Sequence, residues 1–381
     1  MMRTVFEDDH EAFRESAKQF LDRNVRPRTS EFIEGHQIPR EIWTEAGRQG
    51  LLGLEIPEEY GGSDAKDFRF NAVLIEEMSK LFAALSSVFG MHSNVVGPYL
   101  VDLATDELKE RILPGFCSGA IISGLALTEP SGGTDLASLR TTASLDGDAW
   151  VIDGSKTFIT NGYSGDIFVV PARTAPGTGS RGITLFAVES RMAGFSRGRK
   201  LDKVGQEEAD TAELFFDRVR VPRANLLGTV DRGFVHMMER LPEERLSGAI
   251  ASTAHATQIF EETVEYAKVR RAFGQSIGSF QHNKFLLAEL KTRLDATQAF
   301  VDQALQAQVS GSLTAVDAAK VKWWSAEIQN SVLDACVQIY GGYGYMNEYR
   351  VARAWRDARV TKIWAGSNEI MKELIGRDLG L

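Results

Sequence analysis

Three short stretches hold residue types that do chemistry. The first is Ala126–Asp135, ALTEPSGGTD, at the end of the apolar run Ile121–Leu127. Pro130 has no N–H to donate and ends regular strand pairing. Gly132 and Gly133 let the backbone turn sharply, so consecutive N–H groups can face one anion, with Ser131 and Thr134 adding donors. That makes a small polar cradle suited to phosphate; an ordinary glycine-rich turn between strands has the same local pattern. The second stretch is FITNG, Phe158–Gly162. The third is LPEERL, Leu241–Leu246, with two successive acids. One helical step turns Glu243 about 100° from Glu244, so the two cannot share a role. Read locally, Glu244 is a first-turn acid favoured by a helix dipole. The six histidines show no HxxxH or HExxH spacing, and no protein-held metal is expected. Cys117 and Cys336 are far apart and read as small buried residues in a reduced, intracellular setting.

The elements that must position these residues change period twice. The first third reads as helices. Phe13, Ala17, Phe20 and Leu21 form a helical stripe, and Pro39 suits N1 of a helix that stops near Gly50. Further helices are expected over Asp67–Phe82 and Asp106–Phe116, the latter capped by Thr105. Strands are expected at Thr141–Leu145, Ala149–Ile152, Lys156–Thr160, Ile167–Pro171, Ile183–Val188 and Glu213–Val221, with turns at Asp146-Gly147 and Asp153-Gly154. From about Gly233 the pattern is helical to the end, interrupted by Tyr340–Tyr345, YGGYGY. The fold class is therefore mostly α with a central β domain. An N-terminal α-helical domain covers 1–120, a middle antiparallel β-barrel-like domain 121–229, and a C-terminal four-helix bundle 230–381.

Composition narrows the function classes. The 381 residues are 43% hydrophobic and 25% charged, as in soluble globular proteins. A net charge of −9 with no basic run argues against nucleic acid. No apolar stretch approaches the ~20 residues of a membrane span. The opening MMRTVFEDDHEAF reads as neither signal nor transit peptide, and a cytoplasmic location is expected.

TEP followed by SGGTD, and then ITNG, resembles the acyl-CoA dehydrogenase flavoprotein family, whose α, β, α order the chain also shows. The resemblance implies FAD as cofactor and removal of a Cα proton and Cβ hydride from an acyl thioester. It implies FAD contacts at Leu125, Leu127, Thr128, Gly133, Thr134, Phe158, Thr160, Gln281, Gln338, Gly341, Gly342, Ser367 and Glu369. Arg270 and Phe273, in a stretch similar to the family's RxxFG element, are expected to reach the FAD of a neighbouring subunit, which implies a homo-oligomer, in this family usually a tetramer. Many members carry their base in a C-terminal EGT triplet. Here Ala365 stands at that Glu, and a methyl group takes no proton. LPEERL is similar to the string in which long-chain and isovaleryl members place the base, so the match assigns it to Glu244. Thr134, Arg245, Ala365 and Gly366 are the matching substrate positions, Ala365 through its backbone N–H on the thioester oxygen.

The expected activity is FAD-dependent oxidation of an acyl-CoA to the trans-2-enoyl-CoA, with an electron-transferring flavoprotein as acceptor. Gly90 leaves room for a medium-to-long or branched acyl chain. Rival readings are an acyl-carrier-protein substrate in a biosynthetic pathway, a flavin oxygenase, or a nucleic-acid-binding protein on the same fold.

Overall fold

The computed structural model describes residues 3–381. Seven helices come first: α1 (Asp8–Phe20), α2 (Thr29–Gly35), α3 (Arg40–Arg48), α4 (Arg69–Leu81), α5 (Ala83–Gly90), α6 (Gly97–Leu103) and α7 (Asp106–Cys117). Thr105 accepts the Leu108 N–H at 3.3 Å and caps α7, with Asp106 and Glu107 facing the positive helix end. Pro39 is the N-cap of α3 rather than its first helical residue; its extended ψ turns the chain into the helix at Arg40. A π-helical segment, Met91–Val96, joins α5 to α6.

The middle region holds β1 (Ser123–Leu125), β2 (Thr142–Asp146), β3 (Ala149–Thr160), β4 (Ile167–Arg173), β5 (Ile183–Glu189), β6 (Phe195–Lys200), β7 (Thr211–Pro222) and β8 (Leu226–Leu227). Their order is β6-β7-β3-β2-β4-β5-β8, with β1 beside β4. Most pairs are antiparallel, but β1 and β4 run parallel, and β2 meets β4 in parallel at Thr142 and Arg173. The turn expected at Asp153-Gly154 is absent. One strand runs through it, and its register against β7 shifts between Ile152 and Gly154. Gly154 has φ +152°, and a Cβ there would sit 2.5 Å from Thr141 Oγ1, so this glycine serves a bulge instead. The charged string FSRGRK of β6 carries no apolar alternation, which is why its period gives no strand signal.

The C-terminal region is helical: α8 (Gly233–Val269), α9 (Gln281–Val309), α10 (Ala315–Tyr340), α11 (Arg350–Ala358) and α12 (Asn368–Asp378), with a two-stranded excursion, β9 (Arg271–Ala272) and β10 (Gln275–Ser276), between α8 and α9. Three long helices are completed as a bundle by the two shorter ones. Ala72 and Ile75 of α4 pack with Leu246, Ala249 and Ile250 of α8, docking the first region onto the last. Burial of that seam stabilises the junction, at about 25 cal/mol per Å² of apolar surface removed from water. Among the described residues no helix is long and apolar enough to cross a membrane.

Candidate active site

The three regions meet around a cavity of about 480 Å³. One face of α8 forms a wall: Leu241, Glu244, Arg245, Gly248 and Ala251 follow the helical i, i+3, i+4, i+7 period. The helix begins at Gly233, so Glu244 lies in its interior, beyond the reach of the N-terminal dipole. Its Oε1 is buried with no hydrogen-bond partner. Burial raises the Glu244 pKa to about 7, opposed by Arg245. Glu243 faces away, into a separate cavity of about 400 Å³ that Glu55 also lines. Gln308 donates to Glu243 at 2.8 Å, and burial together with Glu55 pushes its pKa to about 8. The helical step thus divides the two acids between two cavities.

The wall across from α8 comes from the β region. Leu125, Leu127, Thr128, Gly133 and Thr134 line it, with Phe158 and Thr160 from β3. The Thr157 N–H donates to Thr128 O at 2.8 Å and ties the two segments together. Phe158 is 69% exposed and has φ +59°, at a second register shift of β3 against β7. A bulky residue held left-handed and left uncovered is strain kept for a partner. At the glycine pair the Gly132 amide is taken by the turn itself: Gly132 N–H donates to Glu129 O at 3.0 Å and Glu129 N–H to Gly132 O at 3.1 Å. What the stretch presents to the cavity is the Thr128 and Thr134 side and Gly133, where a Cβ would crowd Thr128 at 3.1 Å.

Trp364, Ala365 and Gly366 close the site. Ala365 has φ +51° and Gly366 φ +84°, two left-handed residues in succession. The buried Lys322 ammonium holds Gly366 O at 2.7 Å, and burial, followed by Arg245, lowers its pKa to about 8. Arg245 is buried and its Nε has no partner. Ser367 caps α12 by accepting the Ile370 N–H, and Glu369 is exposed; neither lines the cavity.

Besides Ser367 and Glu369, six expected positions are not on this cavity. Arg270 ends α8, Gln281 opens α9, and Gln338, Gly341 and Gly342 lie at the end of α10, so all share one end of the bundle with Phe273. Phe273 is 95% exposed, and the Arg270 guanidinium lies over the Tyr343 ring at 5.4 Å. His92 is fully buried, stacked on Phe116 and bonded to Phe116 O and Ser123; burial drops its pKa to about 3, so it is a neutral structural group. Among the described residues no group of acids, histidines and cysteines could hold a metal.

Residue-by-residue reading missed Trp364, Lys322 and the apolar wall of Phe234, Met238 and Leu241. The last was detectable, because those positions precede Glu244 at helical spacing. Lys322 was not, since its partner Gly366 is distant in sequence. The assembled surface is apolar and aromatic with a few hydroxyls, which suits a flat ring with polar edges. An enclosed carboxylate lies on the wall across the cavity from it.

Comparison with known proteins covers the whole of this architecture. Residues 7–120, 124–219 and 231–380 match the models for the N-terminal, middle and C-terminal domains of acyl-CoA dehydrogenase. The chain is 42% identical over 380 residues to the long-chain specific mitochondrial acyl-CoA dehydrogenase of Sus scrofa, covering 99% of this chain and 88% of that one. It is 36% identical over 374 residues to the mitochondrial isovaleryl-CoA dehydrogenase of Pongo abelii, covering 97% and 88%. The crystal structure of acyl-CoA dehydrogenase from Geobacillus kaustophilus superposes with a TM-score of 0.98 at 40% identity over 100% of both chains.

Proposed function

The chain belongs to the acyl-CoA dehydrogenase family, and from that premise we propose that it oxidises an acyl-CoA thioester to the trans-2-enoyl-CoA with FAD, using Glu244 as the base. The observation that carries this reading is the Glu244 carboxylate, enclosed on the cavity wall with its proton affinity raised by burial. The only other carboxylate on that cavity, among the described residues, is the exposed Asp135.

FAD fits the opposite wall. Phe158, exposed on a strained backbone, offers a ring face, and Thr160, Thr128 and Thr134 offer hydroxyls. When bound, the flavin supplies hydride acceptance. The chain's own residues do the rest. Glu244 takes the Cα proton, which is weakly acidic until the developing enolate is stabilised. Ala365 has no side-chain acid, yet its backbone N–H remains available to the thioester oxygen. Proton removal and enolate stabilisation are then divided between α8 and the turn before α12. Leu241, Met238 and Phe234 keep water from the carboxylate, which raises its basicity.

The cavity supports a medium-to-long or branched acyl group. A Cβ on Gly248 would meet nothing within 4 Å, and one on Gly90 only Asn94 Oδ1 at 3.9 Å. Arg270, Phe273, Gln281, Gln338, Gly341 and Gly342 are too far from this cavity to serve it within one chain. We assign them to the FAD of a neighbouring subunit in a homo-oligomer, a tetramer. An electron-transferring flavoprotein is the acceptor, and the setting is cytoplasmic, as two free buried cysteines suit.

The test is anaerobic titration of the purified yellow protein with acyl-CoAs from short to long and branched, following flavin absorbance. Bleaching by a longer or branched thioester is expected. Bleaching only by acyl-carrier-protein thioesters would move the substrate to the alternative carrier, and no bleaching by either would overturn the assignment.

A further inference from the structure

A buried ammonium stands behind the turn that closes the catalytic cavity. Lys322, on α10, is 3% exposed. Its Nζ donates to Gly366 O at 2.7 Å and to Asn368 Oδ1 at 3.2 Å, both neutral acceptors. Among the described residues it makes no ion pair. Glu327, the acid behind Asn368, accepts from Lys362 at 2.7 Å and from Asn368 at 2.9 Å, and Glu369 is exposed to water. Buried lysines are rarely left without a carboxylate, because the ammonium gives up its hydration for nothing. One kept so beside a cavity suits a place where negative charge arrives during the reaction.

The turn that Lys322 grips has few other supports. Trp364 N–H donates to Val360 O at 3.1 Å on one side, and Ser367 caps α12 on the other. Between them Ala365 and Gly366 are both left-handed, which costs a residue with a Cβ on the order of 1–3 kcal/mol. Among the described residues neither of their N–H groups has an acceptor, and Lys322 is the one side chain that bonds the backbone of Trp364–Gly366. A strained turn with free amides is thus fixed from a remote helix by one charged donor.

The position of that charge matters. In the proposed reaction the Cα–H bond breaks, the proton goes to Glu244 and the electron pair stays on the enolate. One unit of negative charge therefore passes from the carboxylate to the thioester oxygen. A cation nearer the oxygen than the carboxylate favours that transfer. Arg245 does not discriminate: it follows Glu244 in the chain, and its Nη2 lies 3.9 Å from where a Cβ on Gly366 would stand. Arg240 is occupied by Asp102, and Glu243 turns into the second cavity. Lys322 is the cation on the side of the turn.

Resting on the reading of Glu244 as the base and of the Ala365 N–H as the thioester contact, we propose that Lys322 is the positioning residue of the oxyanion end. It clamps Gly366 O so that the Ala365 amide stays available to the thioester oxygen, and its unpaired charge favours the enolate. A fixed charge in a site closed to water acts more strongly than one in solution and needs no reorganisation when the charge develops.

The test compares wild type, Lys322→Met and Lys322→Gln as flavin-loaded proteins near pH 7, where Lys322, with a pKa of about 8, is still an ammonium. The probe is a trans-2-enoyl-CoA carrying carbon-13 at its thioester carbonyl, of the chain length that bleaches wild type fastest. Infrared difference spectroscopy reads the polarisation of that carbonyl without turnover. In wild type the band should lie below its position in water, and in both variants it should move back toward that position. Acyl-CoA-driven flavin reduction should slow about tenfold or more with KM nearly unchanged, because the contact is made mainly with the developing charge. A band at the wild-type position in both variants would overturn the inference, whatever the rate does. Loss of FAD from both would overturn it too, leaving Lys322 a stabilising residue only. If wild type reduces no flavin with any thioester, the function above fails and the inference falls with it; an unmoved band in an active protein sinks the inference alone.

Discussion

Lys156 Nζ donates to Glu129 Oε1 at 2.8 Å with both side chains out of solvent, at 0% and 4% exposure. Glu129 also accepts the Arg140 N–H at 2.6 Å and the Thr141 N–H at 2.9 Å. Its neighbour Thr128 and the residue two after Lys156, Phe158, both line the cavity. One buried ion pair therefore holds both segments of the proposed flavin wall. Burial pushes the Glu129 carboxyl up, but Lys156 and the backbone N–H groups outweigh it and leave it below its ordinary value. Burial pulls the Lys156 pKa down to about 8 against the pull of Glu129. Glu129→Ala should destabilise the protein by about 3–5 kcal/mol in urea unfolding near pH 7, because it strands a buried ammonium. Glu129→Leu with Lys156→Met should recover most of that loss. As pH rises past about 8 the wild-type lysine sheds its proton, and the difference between wild type and Glu129→Ala should narrow.

The Glu244 pKa, raised by burial to about 7, sets a pH dependence. The base must be ionised, so the rate of acyl-CoA-driven flavin reduction should be half-maximal near pH 7 and fall about tenfold per unit well below it. A rate flat from pH 5 to 9 in stopped-flow would refute this. The folded pKa lies above the unfolded value, so ionising Glu244 disfavours the fold. That penalty is absent below the ordinary carboxylate range and complete above about pH 7. Glu244→Gln should accordingly raise Tm more at pH 8 than at pH 5.

Glu244→Gln should bind FAD and lose substrate-dependent bleaching, a fall of at least about a thousandfold in reduction rate. Adding Ala365→Glu should restore part of the rate for short chains, since position 365 lies on the same cavity. Substantial turnover in the single variant would sink the assignment of the base.

Gly248 faces open space one turn beyond Glu244. Gly248→Leu should fill the acyl end while helping the helix, where glycine is worse than most residues by about 0.5–1 kcal/mol. The ratio kcat/KM for long over short acyl-CoAs should drop roughly tenfold or more. An unchanged ratio would show that the acyl chain runs elsewhere.

Arg270 and Phe273 are exposed at the far end of the bundle. Arg270→Ala should leave the far-ultraviolet circular dichroism unchanged but weaken FAD retention about tenfold or more on gel filtration, as loss of a charge-assisted contact does. Full FAD occupancy would remove Arg270 from the cofactor site.

Much of the fold is legible locally. The helix of Asp106–Cys117, its Thr105 cap and the strands from Ile167 and Ile183 follow from period and capping chemistry. Asp153-Gly154 was misread because a dipeptide that favours a turn also suits a bulge. Only the continuing partner strand β7 tells the two apart. That the Gly132 amide is bonded to Glu129 is likewise invisible locally, because nothing in the stretch reveals their pairing.

From sequence alone the chain's period changes set the α, β, α order, and the helical step separated Glu243 from Glu244. Both are properties of neighbouring residues, which spacing encodes. Tertiary structure alone decided that Glu244 faces the cavity and Glu243 a second one, because that depends on how α8 rolls against α4 and α10. It alone paired Lys156 with Glu129, since contacts between segments remote along the chain leave no periodic trace.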